Sequence, residues 1–188
     1  VKKYILIAGV NGAGKSTLYQ SLQSLQGMPR VNTDEILRDF GDWRNMADVM
    51  TAGKIAVKKI ARYFDEGITF NQETTLCGKS IINNITKAKN RGFFIELHYI
   101  GVESADIAKE RVAGRMKQGG HGIAEQDIER RYIETFDNLK TVLPECDLAA
   151  FYDNTIEFRR FAIYKSGSPV RISHHIPDWY ERFVADMT

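Results

Sequence analysis

Tyr4-Ile5-Leu6-Ile7-Ala8-Gly9-Val10-Asn11-Gly12-Ala13-Gly14-Lys15-Ser16-Thr17 decides the fold. Its first five residues are nearly all apolar, as expected of a strand buried on both faces of a parallel sheet. From Gly9 the pattern G-x-x-x-x-G-K-[ST] is complete. It lies where the chemistry requires, after a buried strand and at the start of a helix. Leu18, Leu22 and Leu25 then recur at helical spacing, which predicts a helix over 15–26, stopped by Gly27 with Pro29 beyond. Chance matching would occur in about one chain in a hundred of this length, before that context is demanded. The backbone of Gly9, Asn11, Gly12, Ala13, Gly14, Lys15, Ser16 and Thr17 is expected to cradle phosphates. Lys15 reaches the β- and γ-phosphates of ATP or GTP, and the Ser16 hydroxyl serves Mg²⁺.

Outward from this loop, strands and helices alternate. Strands are expected over 30–32, 68–71, 93–100 and 148–152, and helices from Asp34 with Thr33 as N-cap, then over 46–64, 78–90, 104–117 and 125–143. A hairpin over 158–173 turns at Ser166-Gly167-Ser168-Pro169, and a last helix starts at Asp178. The alternation predicts a three-layer α/β domain with a mostly parallel five-stranded sheet.

Composition fits one domain over 1–188: 43% of residues are hydrophobic and 27% charged, without a linker or repeat. A core of that size needs no disulfide, so Cys77 and Cys146 read as reduced thiols of a cytoplasmic protein. The net charge of +2 points away from nucleic acid or membrane as partner, and no apolar run is long enough for a membrane span.

The acceptor side is read from strand ends. Asp34 follows the second strand at the edge where ligands bind in parallel sheets, placed to take a proton from a substrate hydroxyl; helix-dipole stabilisation alone would also put a carboxylate there. After the third strand, Glu73 suits a Mg²⁺-bound water or a substrate hydroxyl, and Thr75 a phosphate, a sugar or the cap of the next helix. A motor ATPase would show four apolar residues and Asp-Glu at that strand end, which Ile68-Thr69-Phe70-Asn71 does not. Arg111 and Arg115 flank the buried arc of their helix, at about 60° and 20° from its edge. With Arg130 and Arg131 they border Gly119-Gly120-His121-Gly122, a hinge for a lid over about 115–131 that would clamp a triphosphate. The alternative for Arg131 is a surface ion pair with Asp127, four residues before it. His121 reads as a loop residue touching phosphate or backbone, and His98 as satisfied within its strand. His174 and His175 carry no metal assignment.

AGVNGAGKST, VNTDEI, GITFNQETTLCGKS, LHYIGV followed by RVAGR, GGHGIAEQDIERRY and FYDNT together resemble the zeta-toxin-like P-loop kinases, over positions 4–155. The resemblance implies a sheet of order 2-3-1-4-5 and ATP- or GTP-dependent phosphorylation of a small metabolite, in the toxins UDP-N-acetylglucosamine. It also implies Asp34 as base, Lys15 on phosphate, Glu73 and Thr75 at the substrate or metal site, Arg115 and Arg131 in the lid motif, and an antitoxin-like protein partner. Residues 41–61 carry no match to the UDP-sugar pocket, and Ala124 stands where proline is common. Two other classes are a nucleotide-dependent switch or regulatory ATPase acting on a protein, and a polynucleotide-end kinase using Lys54, Lys58, Lys59 and Arg62. A switch has no need of a base at Asp34, and the low net charge disfavours the end kinase.

Overall fold

The computed structural model describes residues 1–187, so the last residue of the expected domain lies outside it. Strand β1 (Lys3–Ala8) leads through the glycine loop into helix α1 (Lys15–Ser21), and a 3-10 turn, Gln23–Leu25, precedes β2 (Arg30–Val31). Then come α2 (Thr33–Arg38), α3 (Met46–Glu66), β3 (Phe70–Thr74), α4 (Lys79–Asn90), β4 (Phe94–Gly101), α5 (Ala105–Lys117), α6 (Glu125–Val142) and β5 (Leu148–Asp153). The chain finishes with β6 (Arg159–Lys165), β7 (Ser168–Ile172) and α7 (Asp178–Phe183).

The sheet has seven strands, in the order β2-β3-β1-β4-β5-β6-β7. The first five are parallel and keep the expected 2-3-1-4-5 order. The C-terminal hairpin continues the sheet rather than standing apart, because β6 pairs antiparallel with the outer edge of β5 from Leu148↔Lys165 to Asp153↔Arg159. An otherwise open edge is thereby closed. Along β1, Tyr4 to Ala8 are all buried, so helices cover both faces of the three-layer α/β sandwich.

Three boundaries near the glycine loop and the strand ends differ from the sequence expectation in ways that bear on the site. Helix α1 ends at Ser21 instead of 26, since Leu22 turns extended, yet Leu25 stays buried through the 3-10 turn. The N-cap of α2 is Asn32, not Thr33: its Oδ1 accepts from the amides of Asp34 (2.9 Å) and Glu35 (3.3 Å). β3 covers Phe70–Thr74, not 68–71, because its register against β1 runs from Tyr4↔Phe70 to Ala8↔Thr74. Glu73 therefore sits in the strand.

The tail is built into the core. Trp179 is fully buried, its ring filling the space a Cβ at Gly101 would need, and its indole N–H donates to Asp153 Oδ1 at 2.9 Å. No described helix is long and apolar enough to cross a membrane.

Candidate active site

Gly9 closes β1 by donating its amide to Thr74 O at 3.2 Å. Its φ is positive, and a Cβ there would strike the Ile100 carbonyl, so glycine is required. Lys15 is buried beneath the loop, its Nζ donating to the carbonyls of Gly9 (2.9 Å) and Val10 (3.2 Å). Burial lowers the pKa of the ammonium, opposed by the carboxylates of Glu73 and Asp34. From the far side Asn154 Nδ2 donates to Ala13 O at 2.9 Å. Gly12, Gly14, Lys15, Ser16 and Thr17 line a cavity of about 710 Å³.

Glu73 faces that cavity under restraint. Its Oε2 accepts from Arg30 Nη2 (2.6 Å) and Asn32 Nδ2 (3.0 Å), which leaves Oε1 toward the Ser16 hydroxyl at 3.4 Å. The Arg30 guanidinium is fixed in turn, 3.6 Å over the Tyr19 ring and 3.1 Å from Glu35. Ser16 and Glu73, the expected metal pair, are thus adjacent. Among the described residues no group of three His, Cys, Asp or Glu is arranged to hold a metal. A hydroxyl and one carboxylate oxygen suit a Mg²⁺ whose other ligands are nucleotide phosphates and water.

Asp34 is half-exposed and lines both this cavity and a neighbouring one of about 670 Å³. Its Oδ1 lies 3.3 Å from His121 Nε2, and the imidazole sits beside the Trp43 ring, centroids 5.9 Å apart. His121, expected to touch phosphate or backbone, meets the Asp34 carboxylate and lines the cavity of the phosphate loop. Burial pushes its pKa down, with Asp34 opposing and Arg115, Arg38 and Arg131 reinforcing. Thr75 lines the second cavity with Glu73 and Cys77. Neither threonine caps α4: Thr74 Oγ1 accepts from the Leu76 amide (2.9 Å), and the cap position is Gly78. Leu76 is buried at φ 64°, a left-handed conformation costly for leucine. Asn138 on α6 pins this turn, donating to the carbonyls of Leu76 (2.8 Å) and Gly78 (3.0 Å), and Glu134 accepts from the Gly78 amide at 2.8 Å.

The arginines part company. Arg115 faces the first cavity and donates from Nε to His121 O at 2.9 Å. Arg111 lines the same cavity, and its guanidinium ties α5 to the carbonyls of Gly12 (3.4 Å), Asn154 (2.7 Å) and Thr155 (3.2 Å). Arg131 donates to Asn11 Oδ1 at 3.1 Å, while Asp127 pairs with Arg130 at 3.3 Å. The Asp127–Arg131 alternative is not formed. His98 is satisfied in its strand by Tyr152 Oη (3.0 Å) and Glu96 Oε1 (2.9 Å). Cys77 and Cys146 are free. Arg30, Asn32, Trp43 and Asn138 were not singled out by sequence. Only Asn32 left a signal, an Asx residue two before a helical carboxylate.

No family model matches the chain. An uncharacterized protein of Haemophilus influenzae is 35% identical over 130 residues, covering 69% of this chain and 92% of that protein. Among solved structures, AvrRxo1-ORF1:-ORF2 with ATP is similar at a TM-score of 0.74 and 13% identity, covering 97% of this chain; this chain spans 63% of that one. The PezAT chromosomal toxin-antitoxin system of Streptococcus pneumoniae gives 0.65 at 17% identity, over 99% of this chain and 76% of that chain. At such identities the likeness is one of fold. The chain belongs to one family with the Haemophilus influenzae protein, and its fold is that of the zeta-toxin-like P-loop kinases.

Proposed function

We propose that the protein is a phosphotransferase that moves the γ-phosphoryl group of ATP or GTP to a hydroxyl of a small metabolite. The observation that carries this reading is a shared cavity: Asp34 lines the same space as Lys15, Ser16 and the glycine loop. Asp34 accepts the hydroxyl proton as the oxygen attacks. A new oxygen–γ-phosphorus bond forms, the bond from that phosphorus to the β,γ-bridging oxygen breaks, and the nucleoside diphosphate leaves. Lys15 exchanges its carbonyl partners for β- and γ-phosphate oxygens. Arg115 and Arg131 supply positive charge from α5 and α6, and Thr75 lines the acceptor side. Mg²⁺, held between Ser16 and Glu73, would neutralise phosphate charge.

A nucleotide sugar such as UDP-N-acetylglucosamine is the first acceptor to try. The AvrRxo1 and PezAT structures are of two-component systems, which supports a search for an antitoxin-like partner. The free cysteines suit the reducing cytoplasm. The deciding experiment incubates the protein with labelled ATP, Mg²⁺ and a bacterial metabolite extract, and detects newly phosphorylated species by mass. Phosphate released only as free Pi would replace this reading with that of a switch or regulatory ATPase.

A further inference from the structure

We infer that His121 positions the base of the transfer reaction: its imidazole holds one oxygen of the Asp34 carboxylate and turns the other toward the acceptor hydroxyl. This rests on the phosphotransferase reading and deepens it. Asp34, His121 and Trp43 line both cavities, so they stand where the space beside the glycine loop meets its neighbour. His121 Nε2 lies 3.3 Å from Asp34 Oδ1, and no other ion pair or side-chain hydrogen bond reaches that carboxylate among the described residues. Without the imidazole, a half-exposed carboxylate would be left to turn freely.

The loop is built to bring the ring there. The amides of Gly119 and Gly120 donate to the carbonyls of Met116 (3.0 Å) and Arg115 (2.9 Å), which folds the chain back onto the last turn of α5. A Cβ at Gly120 would lie 2.9 Å from the Arg115 carbonyl oxygen and 2.5 Å from its Cγ, so the residue before His121 has no room for a side chain. Arg115 Nε then donates to the His121 carbonyl at 2.9 Å, and the Trp43 ring flanks the imidazole. A segment that served only as a hinge would need none of these contacts. Asp34 and Arg38 face the imidazole from α2, Arg115 from α5 and Arg131 from α6; burial and the three arginines favour its neutral form, and Asp34 opposes them. With its hydrogen on Nε2, the neutral ring donates to Oδ1. Oδ2 then takes the acceptor's hydroxyl proton as that oxygen bonds to the γ-phosphorus and the nucleoside diphosphate leaves, and the Asp34 carboxyl later passes the proton to water. His121 gives up no proton. A contact of 3.3 Å is long for such a bond, as catalytic contacts often are until substrate binding tightens them.

The test compares His121→Leu and His121→Gln with wild type, using labelled ATP, Mg²⁺ and a bacterial metabolite extract. His121→Leu should lower the maximal transfer rate about tenfold or more, with ATP affinity and the amount of extract for half-maximal rate changed less than about threefold. His121→Gln keeps an N–H donor at similar reach and should recover most of that rate. In an Asp34→Asn background, His121→Leu should cost less than about twofold more, because a residue that works through the carboxylate has nothing left to position. A second readout needs no turnover: an NMR titration of the four histidines, with His121 identified by the signal lost in His121→Gln. Asp34→Ala should move that titration to lower pH, since the carboxylate's charge raises it. The inference would be overturned by a His121→Leu protein with wild-type maximal rate or with lost ATP affinity instead. So would a Gln variant no better than Leu, an equal further loss in the Asp34→Asn background, or a His121 titration indifferent to Asp34→Ala. Free Pi as the only labelled product of the wild-type protein would remove the phosphotransferase reading itself, and the inference with it. The titration shift would persist in that case, which tells the two failures apart.

Discussion

Asp34 and Asn32 divide two tasks that adjacent polar residues at a helix start could share. Asn32 caps α2 through its Oδ1 and also steadies Glu73 through its Nδ2, whereas the Asp34 carboxylate makes no cap bond among the described residues and meets His121. Asp34→Asn should therefore cut transfer by ~10²–10⁴ and leave melting temperature and nucleotide affinity near wild type. A destabilised but fully active Asp34→Asn protein would remove Asp34 as the base. Asn32→Ala should show the reverse emphasis, costing about 1 kcal/mol of stability. His121 adds a pH dependence. Its folded pKa lies below its usual value of 6.5, so the unfolded chain takes up the proton first on acidification, and stability falls as pH drops below that value. Melting curves at pH 7.5 and pH 5.5 should diverge less in His121→Gln than in wild type; an equal divergence would show that another group carries the effect. The carboxylate and the lysine were legible in the sequence because each stands in a motif. Arg30 and Asn138 were not, since their partners lie 43 and 62 residues away and only the folded sheet reveals them.

At the scale of elements, α5 and α6 are what a moving lid would connect. Arg115 reaches the backbone of His121, and Arg131 reaches Asn11 in the phosphate loop, so both helices are tied to loops that surround the cavity. On the proposed function, with 115–131 as a lid, Arg115→Ala should lower turnover more than nucleotide affinity, because the guanidinium would then act once the loop closes over the transferring group. A loss well under the ~10² typical of a missing transition-state donor, and no larger than about threefold, would leave Arg115 as a brace for residues 119–122. Strong periodicity made α3, α4 and α6 readable, each burying apolar residues at helical spacing. β3 was misplaced for a chemical reason: Gln72-Glu73-Thr74 is polar where this end of the strand lines the second cavity, and polarity hides a strand from pattern. The cap at Asn32 and the early end of α1 are local choices between neighbouring residues, which periodicity does not resolve.

Over the whole molecule, the parallel character of the sheet followed from the alternation of elements, and its order from the resemblance to the zeta-toxin-like P-loop kinases. The antiparallel extension did not, because which edge a hairpin joins is set by long-range pairing. That extension matters to the site. Trp179 on α7 donates to Asp153 Oδ1 at the end of β5, and the same oxygen accepts from the Thr155 hydroxyl at 2.6 Å. Asn154, between them, donates to Ala13 in the phosphate loop. A contact chain thus runs from the C-terminal helix through the end of β5 to the phosphate loop. Trp179→Phe keeps most of the ring in its pocket but deletes the indole N–H, so the buried Asp153 carboxylate loses a donor. The expected cost is about 1–3 kcal/mol in denaturant unfolding, as for a buried charged group deprived of a partner. If the chain is coupled, ATP affinity should weaken in the same protein, since residues 153–155 lose an anchor and with it the brace on Ala13. Ile156→Ser makes the control: its side chain is fully exposed in the same loop and should change neither quantity. A Trp179→Phe protein that is destabilised yet binds ATP as tightly as wild type would confine α7 to stability, and leave the phosphate loop to be ordered by β1, Asn154, Arg111 and Arg131 without it.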